Sequence, residues 1–161
     1  IYMKEKKFYY CKKCKNVVTI MVNGEENLIC CGEVMTLLKA NTVDASKEKH
    51  VPFVKRQNGA VYVNVGSIDH PMTDEHYIQW IALSKDDHMQ IVWLHPGALP
   101  KAEFFMKHAL DKVEVVNFSE SEEEVPNCEG APCNFSTTDI IEEPVTVYAY
   151  CNLHGLWETI V

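Results

Sequence analysis

Five side chains able to hold a redox metal fall in three short motifs. His50 lies in Glu48-Lys49-His50-Val51-Pro52, and His70 and His76 bracket Pro71-Met72-Thr73-Asp74-Glu75. Cys151 and His154 lie in Cys151-Asn152-Leu153-His154-Gly155. Neutral imidazole and thiolate suit borderline transition metals. Zinc favours a four-ligand tetrahedron and has no redox chemistry. Blue copper takes two histidines and a cysteine with a weak axial group. Four imidazoles and a thiolate match neither pattern. Five such ligands on a six-coordinate ion leave one position open, which is what a redox catalyst requires.

A second set lies upstream. Cys11-Lys12-Lys13-Cys14 is followed, after fifteen residues, by the adjacent pair Cys30-Cys31. Read alone, this spacing points to a four-thiolate site, either a zinc knuckle or a rubredoxin-like iron. Adjacent residues tend to aim their side chains apart, so both cysteines reach one ion only through a distorted tetrahedron. Seven cysteines are present, five of them in metal-ligand patterns, and an odd number is awkward for complete disulfide pairing. A reducing cytoplasm, which keeps thiolates available, is therefore the expected compartment.

The elements that must carry these ligands read as β throughout. The chain has 161 residues, 47% of them hydrophobic, enough for one ordinary domain or a small metal-stapled module plus a sandwich. Its net charge of -8 argues against a nucleic-acid partner. No apolar run approaches the ~20 residues that span a bilayer, and the start has no signal-peptide pattern. Met3 reads as a natural start, with Ile1 and Tyr2 a remnant before it.

Residues 8–38 read as short β-segments, with 17–22 turning at Asn23-Gly24 and returning through 28–29 into Cys30. So small a segment needs a metal for stability. Polar residues 41–47 read as a linker with one helical turn. Beyond His50, strands are expected at 51–56 and 60–65 around Asn58-Gly59, and at 77–84 and 88–94 around Lys85-Asp86-Asp87. Strands at 113–118, 145–150 and 156–161 bring the number to about seven, and their regular spacing favours a sandwich. The expected division is a small module at 1–39 and a sandwich at 40–161, with an acidic, proline-punctuated inserted loop at about 119–143.

The four-histidine, one-cysteine set closely resembles the catalytic iron site of superoxide reductases. The vicinal cysteines resemble the desulforedoxin-type domain that opens the two-iron members of that group, the desulfoferrodoxins. The resemblance covers residues 3 to about 105 and resumes near 145. It implies an immunoglobulin-like β-sandwich and two irons per chain. One iron would be held by Cys11, Cys14, Cys30 and Cys31. The other would have His50, His70, His76 and His154 in a plane and Cys151 on the axis. It further implies an oxidoreductase acting on superoxide as acceptor, reducing it to hydrogen peroxide with one electron and two protons. Lys49 would attract superoxide and orient a proton-donating water, and the Glu48 carboxylate would take the sixth position in the ferric state. A rubredoxin-type donor would restore the electron, and a homodimer is the implied assembly.

Two other readings compete. A two-iron electron-transfer protein without substrate chemistry would gain nothing from Glu48-Lys49 beside an open position. A zinc-binding interaction module would be colourless. His88, His95 and His108 are read as ordinary core or surface histidines. Trp80, Trp93 and Trp157 are assigned to the core and the shell around the metal. Cys128 and Cys133 read as two free surface thiols, a local disulfide or, with least support, a third metal site. The favoured expectation is a loop outside the catalytic step that can form the disulfide under oxidising purification.

Overall fold

Alternation along one strand organises the larger part of the molecule. In the computed structural model, which describes residues 6–22, 27–57, 59–85, 88–106 and 144–161, strand β11 (Thr146–Cys151) is buried on both faces. Val147, Ala149 and Cys151 point one way, and Tyr148 and Tyr150 the other. A strand with apolar groups on both sides belongs at the centre of a covered sheet. β11 accordingly lies between β12 (Gly155–Ile160) and β8 (Ile78–Lys85), with β9 (His88–Trp93) outside β8. A second sheet has the order β10 (Lys101–Phe105), β7 (Ala60–Val65), β6 (Pro52–Gln57). Val61, Val63, Val65 and Phe104 from this sheet pack against Ile81, Leu83, Val147 and Ala149 from the other. These seven antiparallel strands form the expected all-β sandwich, in the immunoglobulin-like arrangement of three strands facing four.

Two hairpins follow the sequence expectation closely. Gln57 pairs with Ala60 and Lys85 with His88, so each connection has two residues. A two-residue turn fixes register, and register decides which side chains enter the core. The expected strand at 113–118, the inserted loop, His108, Cys128 and Cys133 lie outside the described residues. β10 was not anticipated. Its Lys-Ala-Glu-Phe-Phe sequence buries one side chain fully, Phe104, and its charges suit a sheet edge.

The N-terminal pairing also differs from expectation. β2 (Val17–Thr19) pairs with β1 (Phe8–Tyr10), which pairs in turn with β5 (Thr36–Leu37). The return through Ile29 goes elsewhere: β3 (Ile29–Cys30) pairs with β4 (Glu33–Val34) across Cys31-Gly32. Both turn residues have positive φ, 53° and 78°, the signature of a type I′ hairpin. The expected Asn23-Gly24 turn lies outside the described residues. Phe8, buried on this module, contacts Trp80 and Tyr148 on the outer face of the β11 sheet, with ring centroids 5.1 Å away in each case. The one helical turn, α1 (Lys47–His50), leads into β6. No helix among the described residues is long and apolar enough to cross a membrane.

Candidate metal centres

All five ligand candidates collect at one end of the sandwich. His50 ends α1, His70 follows β7, His76 precedes β8, Cys151 ends β11, and His154 lies in the turn before β12. A register shift between Tyr150 and Cys151 against β8 breaks the ladder where the ligand begins, a common use of a bulge beside a site. Cys151 pairs with Gly155 across a three-residue loop, and Gly155 has φ +70°, which favours glycine. That turn folds His154 back until its Nδ1 is 3.6 Å from Cys151 Sγ.

The four imidazoles form a closed ring. Successive pairs His50–His70, His70–His76, His76–His154 and His154–His50 have centroids 4.7, 4.5, 4.8 and 4.6 Å apart, with interplanar angles from 75° to 88°. Across the ring, His50 and His76 are 5.8 Å apart. His154 Nδ1 lies 2.9 Å from His50 Nε2 and 3.2 Å from His76 Nε2. One ligand atom each from His50, His70, His76 and Cys151 also lie within 4.8 Å of one another. The inward atom is thus Nδ1 for His154 and Nε2 for His50 and His76, a distinction invisible in the sequence.

The outward nitrogens explain the inward ones. His50 Nδ1 donates to the Ser46 carbonyl at 2.7 Å, and His70 Nδ1 donates to the Pro71 carbonyl. A carbonyl only accepts, so each Nδ1 carries the proton and each Nε2 keeps its lone pair. His70 Nε2 is buried and, among the described residues, has no hydrogen-bond partner. An unpaired buried acceptor beside three other imidazoles and a thiol is placed to serve as a metal ligand. The donor set fits iron at a five-ligand position. Trp157, fully buried, stacks on His50 at 4.9 Å and donates through Nε1 to the His154 carbonyl at 3.2 Å. Trp157 therefore belongs to the shell as expected, and Trp80 packs with Phe8 and Tyr150. Trp93 does not fit its assignment: at the edge of its sheet, on β9, it is 74% exposed.

Burial pushes His50, His70 and His76 below the ordinary histidine range, His70 to about 4. The Lys49 charge also lowers His50 and His76, so its side chain acts on the ring although it is exposed. Burial raises the Cys151 thiol, opposed by the backbone N–H groups of His154 and Leu153. A depressed histidine makes folding favourable above its unfolded value near 6.5 and progressively less so as pH falls towards the folded value. The metal-free chain should therefore lose stability between pH 6.5 and 4, by up to about 3 kcal/mol from His70. Urea unfolding at pH 7.5 and 4.5 measures this. Equal stability at the two pH values would contradict a neutral, desolvated His70.

At the other centre, Sγ atoms of Cys11, Cys14, Cys30 and Cys31 lie within 4.8 Å of one another. Cys14 and Cys30 sulfurs are 3.5 Å apart, and those of Cys30 and Cys31 3.9 Å. Vicinal cysteines converge here because Cys31 adopts the left-handed conformation, which re-aims its side chain. The Cys14 backbone N–H draws the Cys11 thiol down to about 6, whereas the Cys14 thiol pushes Cys30 up to about 12. Lys13 donates to the Cys31 carbonyl and pairs with Glu33 at 3.0 Å.

His88 and His95 lie exposed on β9 and in the loop after it, outside both clusters. What sequence reasoning missed is the packing between ligand arms. The Gly66 N–H donates to the Val51 carbonyl, and the Glu48 carbonyl accepts from Ile68 N–H and from Ser67 Oγ. The segment leading to His70 thereby clamps the segment carrying Glu48, Lys49 and His50.

Comparison with known proteins points to one family. The family model for desulfoferrodoxin matches residues 42–160. A desulfoferrodoxin from Syntrophotalea carbinolica is 37% identical over 151 residues, covering 94% of this chain and 93% of that one. A superoxide reductase from Thermococcus kodakarensis is 36% identical over 124 residues, covering 71% and 87%. The crystal structure of the superoxide reductase from Treponema pallidum superposes with a TM-score of 0.61 at 27% identity, covering 97% and 99%. A family match across most of the chain, joined to a four-cysteine cluster and a ring of four histidines beside a buried cysteine, places this chain in the desulfoferrodoxin family.

Proposed function

We propose that the chain is a superoxide reductase, an oxidoreductase that takes superoxide as acceptor and releases hydrogen peroxide without forming dioxygen. The observation that carries this reading is the closed imidazole ring, with His50 and His70 buried, beside buried Cys151, and with Lys49 exposed next to His50. His50, His70, His76, His154 and Cys151 would hold iron, which would supply the one electron. The chain's own residues do the rest. Lys49 offers a cation on a protein that is acidic overall, so the local field draws the superoxide anion in. Its ammonium would orient water that relays two protons from solvent, so that superoxide, one electron and two protons give hydrogen peroxide. The Glu48 carboxylate would serve as a further ligand to the oxidised iron. Trp157 and the apolar end of the sandwich keep bulk water from the thiolate.

The four-thiolate iron at Cys11, Cys14, Cys30 and Cys31 lies on the electron-supply side, with a rubredoxin-type carrier as the external donor. Charge supports this assignment. Residues 1–39 contain seven lysines and four glutamates, whereas residues 40–161 contain eight cationic and nineteen acidic side chains. A division into two modules at 39/40 is supported by strand pairing, since among the described residues β1 to β5 pair with one another and the sandwich strands do likewise. Asn41 fastens the junction, its side chain bonding both the N–H and the carbonyl of Glu158. Exposed Met21, Val22, Ile29 and Val34 on the small module support a homodimer. Four thiolates kept for metal suit the cytoplasm.

Mixing prereduced protein with superoxide tests the reading. The ferrous signal should disappear with one peroxide formed per electron and no dioxygen released. Lys49→Ala should lower the second-order rate roughly tenfold and flatten its dependence on ionic strength, with iron retained. An unchanged rate across a salt series would remove Lys49 from the mechanism. Full reduction of the protein with no reaction towards superoxide would favour an electron carrier.

A further inference from the structure

Residue 152 stands between two ligands without being one, and its side chain reaches across to a third. Asn152 Oδ1 accepts from the Tyr77 N–H at 2.9 Å, and Nδ2 donates to the Glu75 carbonyl at 2.9 Å. The Asn152 backbone N–H donates to the Tyr77 carbonyl at 3.1 Å. One amide thus grips both residues that flank His76, while its own backbone lies between Cys151 and His154. An N–H on one side and a carbonyl on the other fix which way the amide faces.

The other histidines have their own restraints. His50 and His70 are oriented through Nδ1 by backbone carbonyls, and the His154 carbonyl accepts from Trp157. His76 is half-buried, and among the described residues its ring shows no comparable bond to a carbonyl. Thr73 closes the loop on itself, accepting from the His76 N–H through Oγ1 at 3.1 Å and donating its own N–H to the His76 carbonyl at 3.0 Å. That closure sets the shape of the loop. It does not tie the loop to the arm bearing Cys151 and His154.

We propose that Asn152 is the positioning residue that holds His76 in register with Cys151 and His154, so that one neutral side chain sets the relative placement of three of the five ligands. The inference rests on these five residues being the iron ligands, and not on superoxide being the substrate. Groups behind the ligands commonly change metal affinity by about 10–100-fold when removed. Asn152 meets that description from the backbone side, by fixing where a ligand's main chain sits.

The test uses the iron-loaded full chain, with the four-thiolate chromophore as internal reference. Its readouts are the sulfur-to-iron absorption of the oxidised catalytic site and the rate at which a chelator removes that iron. Asn152→Ala should release the catalytic iron at least tenfold faster and shift or broaden the sulfur-to-iron band, with the four-thiolate bands unchanged. Asn152→Asp keeps the acceptor for Tyr77 and loses the donor to Glu75, so it should fall between parent and Asn152→Ala. It decides the matter if the alanine variant does not fold. Thr73→Ala loosens the same loop without breaking the bridge and should release iron more slowly than Asn152→Ala. Parent-like release and band in both Asn152 variants would overturn the proposal. Indistinguishable behaviour of Asn152→Ala and Thr73→Ala would do the same, by showing that loop rigidity alone matters.

Discussion

Cys151→Ser is expected to lose the sulfur-to-iron absorption of the catalytic site and about two orders of magnitude or more in superoxide reduction, while keeping the four-thiolate chromophore. The size of the effect follows from where the sulfur lies. Cys151 is fully buried at the end of β11, its Sγ within 4.8 Å of ligand atoms of His50, His70 and His76 and 3.6 Å from His154 Nδ1. A thiolate there would donate electron density to the iron, as thiolate ligands do in haem enzymes. Serine is nearly isosteric, so the sandwich should survive, but its hydroxyl is a poor donor to iron at neutral pH. Burying a hydroxyl in place of a thiol costs about 1–3 kcal/mol without a new partner. The backbone N–H groups of Leu153 and His154 are already aimed at this position and offset part of that cost. Absorption and stopped-flow measurements on the same sample decide it. A variant with the parental catalytic-site spectrum and rate would show that Cys151 is not the axial ligand.

Gly66→Ala should damage the catalytic centre although the residue touches no ligand side chain. Gly66 has φ +86°, and a Cβ there would lie 2.3 Å from the Ile68 carbonyl oxygen, 2.7 Å from the Glu48 carbonyl oxygen and 2.8 Å from the Lys49 Cα. All three are backbone atoms, so no side chain can rotate away. Relief requires the segment carrying Glu48, Lys49 and His50 to move away from the loop that leads to His70. The His50 and His70 rings, 4.7 Å apart, would separate with it. Left-handed strain alone costs about 1–2 kcal/mol, and the displaced packing should bring the total to about 3 kcal/mol or more. Iron binding at the five-ligand site should weaken at least tenfold. Gly97→Ala is the control, because Gly97 has φ +82° yet a Cβ there meets nothing within 4 Å. It should show the strain and none of the displacement. Equal losses of thermal stability and of iron in the two variants would show that close approach at Gly66 is unimportant.

The chemistry of this protein was legible in the sequence because ligand identity is a local property. An imidazole or a thiolate binds metal wherever the chain carries it, and the spacing of His70, His76, Cys151 and His154 put donors in motifs short enough to recognise. The hairpins from Gln57 to Ala60 and from Lys85 to His88 were legible for a related reason, since a two-residue turn fixes its own register. Tertiary structure alone decided matters that depend on what comes near from elsewhere in the chain. His154 turns Nδ1 inward while His50 and His76 turn Nε2, because a carbonyl holds the His50 ring while separate turns carry His154 and His76. The adjacent cysteines converge because Cys31 takes positive φ in a turn whose flanking strands pair only with each other. β10, with its weak Lys-Ala-Glu-Phe-Phe alternation, is a strand because β7 offers it an edge. Trp93 is left in solvent because β9 is the outermost strand of its sheet. Gly66 and Asn152 carry no chemistry of their own. They matter because residues from 15 to 77 positions away in sequence pass within bonding distance of them, and no local pattern announces such an approach.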